Sequence, residues 1–165
     1  MKRKIFGMVL VTGASLLVVG CENKKEEEKK EDKTPRIVCT LNSTENDMKS
    51  TTTTTLILRD NTYVKEYEAI SKMTVEDEEM YILYAQAIKK ETESETDEDV
   101  EYKYELDDAS KTITLILKAT VTDERFAKAT DEEKDEMKAK DIVENAEQSG
   151  AKCEFKNITR GDIGL

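Results

Sequence analysis

The chain is 165 residues long, with 38% charged side chains, a formal net charge of −11, three cysteines and no histidine. Without histidine it has no imidazole base, no Ser-His-Asp triad and no imidazole metal ligand. Its acidity sets it against nucleic acid and anionic headgroups, which repel like charge within a Debye length of about 8 Å.

Lys2, Arg3 and Lys4 precede an apolar run over residues 5–19 that is interrupted by Gly7, Thr12, Gly13 and Ser15. A helix crossing a hydrocarbon core needs about 20 apolar residues, so this run reads as the h-region of a signal peptide. Its ending, Val18-Val19-Gly20-Cys21, resembles the cleavage box of bacterial lipoproteins. The resemblance implies that residues 1–20 are removed and that Cys21 receives a diacylglycerol and becomes the new N-terminus. Two acyl chains hold a protein stably on a membrane, where one chain holds it marginally. The expected location is the extracytoplasmic face of the cell membrane.

Residues 21–35 read as the lipidated cysteine and a charged tether. Residues 24–33 are all charged, five of each sign. Such a segment has nothing to bury and stays solvated. Fully extended, the 22–35 stretch reaches about 50 Å. Pro35, the single proline, closes it. Residues 36–165 then form one expected domain, holding 18 basic against 31 acidic side chains, a net charge of −13.

Within that domain residues 37–41 predict a first strand, followed by a polar turn over 42–47. Residues 49–59 predict a long second strand, dense in β-branched side chains through the five threonines at 51–55 and Ile57. Asp60-Asn61 suits a two-residue hairpin turn, since both tolerate positive φ. Residues 62–69 return as a third strand. Thr74 is a candidate N-cap for a first helix, with Glu76, Asp77, Glu78 and Glu79 at the positive end of its dipole. Met80, Leu83, Tyr84, Ala87 and Ile88 follow i, i+3, i+4, i+7, i+8 spacing and form the expected buried stripe. The helix should fade into an acidic loop over 91–99.

Residues 100–106 and 112–121 predict a second hairpin around Asp107-Asp108-Ala109-Ser110. Val100, Tyr102, Tyr104 and Leu106 share one face of its first arm, while Glu101, Lys103 and Glu105 share the other. Thr130 with Glu133 matches a capping box and opens an expected second helix reaching Ser149, with Gly150 as its stop. Its apolar face is Met137, Ala139, Ile142, Val143 and Ala146. Residues 152–156 predict a last strand, and the tail after Asn157 reads as frayed. The order βββ-α-ββ-α-β, with tight turns between strands, predicts an α+β fold: one antiparallel sheet of hairpins with both helices on one face.

With Cys21 given to lipid, Cys39 and Cys153 remain, one in the first predicted strand and one in the last. Export favours a disulfide between them. It would close a loop of about 115 residues, worth about 5 kcal/mol on chain-entropy grounds, and would make the two strands neighbours. The alternatives are two buried free thiols or a redox pair, and the Cys-x-x-Cys spacing usual for the latter is absent.

No catalytic, cofactor-binding or metal-binding constellation stands out. Carboxylate chemistry, as in an envelope hydrolase, is the alternative function; it needs two carboxyl groups about 5–10 Å apart in a cleft with a raised pKa. Glu91, Glu93, Glu95, Asp97, Glu98, Asp99 and Glu101 are numerous enough to attract a hard cation, but they lack the spacing and glycine of a calcium loop; a solvated loop is the plainer reading. The threonine run offers hydroxyls to a ligand, yet strand propensity accounts for it. Arg160-Gly161-Asp162 matches an integrin-recognition tripeptide, a cheap match.

The layout resembles the YehR-like family of small uncharacterised bacterial lipoproteins. The matching features are Val18-Val19-Gly20-Cys21, the charged tether, a hairpin followed by an acidic helix, and a second hairpin. A Lys/Glu-rich helix and a last strand containing Lys152-Cys153-Glu154-Phe155 complete the match. Some relatives likewise carry one cysteine in the first strand and another in the last. The resemblance implies an α+β fold and supplies no activity. The expectation is therefore a membrane-anchored, monomeric, non-catalytic interaction module that uses no cofactor and binds an unknown protein or small ligand. The mature chain is too short for the two lobes with which transporter-linked binding lipoproteins usually close on a solute.

Overall fold

A computed structural model describes residues 33–45, 48–94 and 99–165. The expected signal peptide, Cys21 and the expected tether through residue 32 lie outside the described residues, as do residues 46–47 of the expected turn and 95–98 of the expected acidic loop.

Six strands form one sheet: β1 (Arg36–Glu45), β2 (Met48–Leu58), β3 (Val64–Val75), β4 (Val100–Asp107), β5 (Thr112–Thr120) and β6 (Lys152–Lys156). Their order across the sheet is β4-β5-β3-β2-β1-β6, and every neighbouring pair is antiparallel. Four helices accompany them: α1 (Glu78–Ser94), α2 (Asp123–Lys128), α3 (Asp131–Asp135) and α4 (Ala139–Gln148). The α+β class and the antiparallel hairpin sheet agree with the sequence reading.

The register decides which side chains face inward. Ile37 pairs with Leu56, Leu56 with Tyr67, and Tyr67 with Ala119, so these residues share one face of the sheet. By the period-2 alternation of strands, Cys39, Ala69, Leu117, Met73 and Ile113 share it too. Two apolar clusters form there. One gathers Ile37, Leu56, Leu58 and Val64 with Ala139, Val143 and Ala146 of α4. The other gathers Val75 and Ile113 beneath Tyr81, Tyr84 and Ile88 of α1. Both helices therefore cover the same side. Fully burying a side chain such as Leu56 is worth about 1.5–3 kcal/mol. Between the clusters the inner face is polar: Ser50 and Thr52 are buried, and Thr52 Oγ1 meets Ser71 Oγ at 3.0 Å.

Pairing overrode local propensity at several places. Residues 42–45, expected as turn, extend β1 by pairing with 48–51 of β2. Thr74, expected as a helix cap, is held in β3 opposite Thr112. Asp77 caps α1 instead, its carboxylate accepting from Met80 N–H at 2.8 Å. The two-residue turn at Asp60-Asn61 is a wider loop. Its Arg59 N–H donates to Tyr63 O, and Asp60 Oδ1 accepts from the N–H groups of Thr62 and Tyr63.

The helix expected over 130–149 is broken. The capping box is present, with Thr130 accepting from Glu133 N–H and Glu133 reaching back to Thr130 N–H. But α3 stops at Asp135, because residues 137–139 take strand-like partners. Val64 N–H donates to Met137 O at 2.9 Å and Ala139 N–H donates to Thr62 O at 2.8 Å. Lys138 accordingly has extended backbone, φ −68° and ψ 122°. Helix α2 was not expected, although Thr122 ahead of Asp123 and Glu124 is a cap signal; Thr122 accepts from Arg125 N–H.

The tail is ordered rather than frayed. Ile158 and Ile163 are buried in the first cluster, and Gly161–Ile163 forms a 3-10 turn.

Candidate functional site

Helix α1 carries the feature that packing does not explain. Its buried side is Tyr81, Tyr84, Ala85 and Ile88, which pack on Val75, Ile113, Met48 and Met73. The stripe expected from the sequence shares only Tyr84 and Ile88 with it. Met80, Leu83 and Ala87 point outward: Met80 is 40% exposed, Leu83 57%, and Ile82, farther round the helix, 47%. With Leu106 at 40%, these are the exposed large apolar residues among the described ones. All four lie at one end of the molecule, in the opening turns of α1 and at the end of the neighbouring strand β4.

At 100° per residue, Met80, Leu83 and Ala87 fall within a 60° arc of the surface by the 3.6-residue period. Its centre lies about 120° from that of Tyr81, Tyr84, Ala85 and Ile88, so this arc flanks the buried stripe, while Glu79, Gln86 and Lys90 occupy the side opposite the sheet. The apolar surface of α1 is therefore wider than the side that packs on the sheet, and the surplus is exposed. Farther along, Lys89, Lys90, Glu91 and Glu93 restore a polar exterior.

Acidic residues crowd the N-terminal end of this surface. Glu76, Asp77, Glu78 and Glu79 precede or open α1, and Asp107 and Asp108 form the β4–β5 turn against it. Lys111 Nζ donates to Glu76 O at 2.9 Å, which ties the turn to the helix start. Tyr81 O–H donates to Asp108 Oδ1 at 2.6 Å. That bond pushes the Tyr81 pKa up from 10.0 to about 12, with burial and the charges of Asp108 and Asp107 adding to it. The folded value lies above the ordinary one, so the contact contributes fully below pH 10 and its contribution is lost as pH climbs toward 12. In an ultraviolet titration one tyrosine should ionise near pH 12, returning toward pH 10 in Asp108→Ala. Identical titrations of the two proteins would refute the contact.

The other sequence candidates fall elsewhere. Cys39 and Cys153 pair directly across β1 and β6 and form a disulfide, with Cα atoms 4.0 Å apart. The threonine run splits by alternation. Thr52 and Thr54 face the helices, while Thr51, Thr53 and Thr55 face the uncovered side of the sheet. Arg160 and Asp162 are engaged within the fold: Arg160 forks onto Glu147 at 2.6 and 2.8 Å, and Asp162 Oδ2 accepts from Thr159 N–H and Oγ1–H. In the acidic stretch, Glu91 and Glu93 lie on α1, Asp99 pairs with Arg125, and Glu101 pairs with Lys103. Among the described residues no group of three or more Cys, Asp or Glu is placed to hold a metal ion.

On the uncovered side, a concavity of about 150 Å³ is lined by Glu66, Glu68, Lys118, Thr55, Thr120 and Ile57. Glu68 pairs with Lys118 at 2.7 Å, so its charges are already matched. Lysine neighbours, arginine neighbours and turn hydrogen bonds pull the carboxyl groups of Glu101, Asp107, Glu147 and Asp162 down. That is the direction of a stabilised carboxylate, opposite to the raised pKa a hydrolytic acid needs. No helix among the described residues is long and apolar enough to cross a membrane.

The sequence reading missed Ile82 and Leu106 as surface features and assigned Met80 and Leu83 to the core. The signal was available: two i, i+3, i+4 stripes, not one, run through the opening turns of α1. Comparison with family models, with curated proteins and with solved structures returns no match.

Proposed function

We propose that the chain is an envelope lipoprotein of the YehR-like kind, anchored through Cys21, whose acidic domain is a non-catalytic docking module. The observation that carries the docking role is the outward apolar face of α1, which no part of the described fold covers. Patches of this kind on soluble domains mark interaction sites. The Cys39–Cys153 bond supports export, since disulfides persist in oxidising compartments.

Topology supports the same reading. The tether enters at Arg36, which pairs with Ile57 and Lys156 at one end of the sheet. Helix α1 departs from Val75, which pairs with Met48 at the other end. Along β2 the two ends are separated by about 30 Å at 3.3 Å per residue. The apolar face thus lies at the end of the sheet remote from the tether, where the anchor does not obstruct it.

Two measurements test the proposal. Wild type should fractionate with membranes while Cys21→Ala is released, and equal membrane recovery would remove the anchor. A photocrosslinker at Leu83 should capture a partner in intact cells while one at Lys72, on the uncovered sheet face, captures none. Equal labelling from both positions would remove the docking role.

A further inference from the structure

The charge around the outward face of α1 selects its occupant. Glu76, Asp77, Glu78, Glu79, Asp107 and Asp108 crowd the start of the helix and the turn against it. Nearby cations are few: Lys49 reaches Glu76 at 3.0 Å, and Lys111 lies 3.8 Å from Glu78. The helix macrodipole adds only about half a positive charge at this end, far too little to reverse the sign. A partner must therefore cover apolar side chains while meeting a negative end.

Resting on the docking role, we propose that this face receives a cationic amphipathic segment of a partner protein. Its apolar residues would pack on Met80, Leu83 and Ala87, and its Lys or Arg groups would meet Glu76, Glu78 and Glu79. A second copy of this chain is disfavoured, because a two-fold contact would press two such acidic ends together at distances where like charges repel. An anionic lipid surface is disfavoured for the same reason. A basic segment loses least, since apolar contact and charge attraction then act in the same direction.

The test uses the full chain in zwitterionic nanodiscs and two fluorescent peptides of about 18 residues, with empty nanodiscs as the blank. The peptides share one leucine face and differ only in carrying Lys or Glu on the other. At about 50 mM salt the Lys peptide should bind at least tenfold more tightly than the Glu peptide, with the margin shrinking several-fold at about 300 mM. Leu83→Ser should weaken the Lys peptide by about fivefold or more, through loss of apolar contact. Glu78→Gln with Glu79→Gln should weaken it about three- to tenfold without lowering the melting temperature appreciably. Equal affinity for the two peptides overturns the proposal, as does no binding of either at about 1 mM or indifference to Leu83→Ser. A Leu83-dependent dimer in sedimentation would also overturn it, by making a second copy the occupant. In each of these cases crosslinks from Leu83 in intact cells would still uphold the docking role, so the two failures are distinguishable.

Discussion

Replacing both Cys39 and Cys153 by alanine is expected to lower stability by about 3–5 kcal/mol. The bond joins residues 114 apart in sequence, so it holds nearly the whole described chain in one loop. Its removal frees the unfolded chain, and a loop of this length gives an upper value of about 5 kcal/mol on the entropy model. The folded state loses something as well. Strand β6 lies at the sheet edge and pairs only with β1, over five residues, so the covalent link supplements a short ladder. For a domain of this size the midpoint of thermal unfolding should fall by roughly 10–20 °C. Reductant should reproduce the loss in wild type and leave the double variant unchanged. A double variant melting within about 3 °C of wild type would mean that β6 is held by its ladder and by α4 alone. Substituting both positions avoids leaving an odd thiol, which would confuse aggregation with instability.

Two kinds of information in the chain had different reach. Alternation is strict in residues 100–106 and broken only by Ile116 in 112–121, the turn between them is polar, and the hairpin β4–β5 formed where it was expected. The Cys39–Cys153 pairing followed from eliminating Cys21 and from export, and the register sets the two directly opposite. Where local patterns failed, a distant partner had decided the outcome. Thr74 is a favourable cap by residue type, though Asp77 is a stronger one, and Thr112 across the sheet claims Thr74 for β3. Residues 136–138 continue a helical period, yet the partners Tyr63 and Val64 at the start of β3 hold Lys138 in extended backbone and end the helix.

The phase of α1 is the most instructive failure. Met80-Leu83-Tyr84-Ala87-Ile88 and Tyr81-Tyr84-Ala85-Ile88 are both valid helical stripes. Only the sheet decides between them, and Tyr81 wins because its ring is buried while its hydroxyl reaches Asp108. A helix with two competing apolar stripes has one more than an isolated domain needs. The ambiguity that defeated the core assignment is thus the same surplus on which the proposed docking surface rests.

Ile163→Ala and Ile158→Ala are each expected to cost about 2–4 kcal/mol, the usual range for truncating a buried isoleucine. Ile158 and Ile163 are 9% and 7% exposed, and both pack into the cluster that joins α4 to β1 and β2. Because they share that cluster, the double variant should depart from the sum of the single effects. The turn holding them is specified locally. Thr159 and Asp162 bond each other's backbone and side chain, Gly164 takes φ 81°, and Leu165 N–H returns to Arg160 O at 3.0 Å. Arg160 clamps the turn to α4 through Glu147, at the surface where such a pair is worth at most about 1 kcal/mol. Arg160→Ala should therefore cost far less than either isoleucine change, although it removes the most visible contact of the tail. Denaturant midpoints of these four variants and of wild type decide the matter. Isoleucine variants within about 0.5 kcal/mol of wild type would return the tail to the frayed segment its polarity suggests. The expected ranking instead makes the end of the chain a wall of the core, with its Arg-Gly-Asp tripeptide serving as scaffold for Ile163.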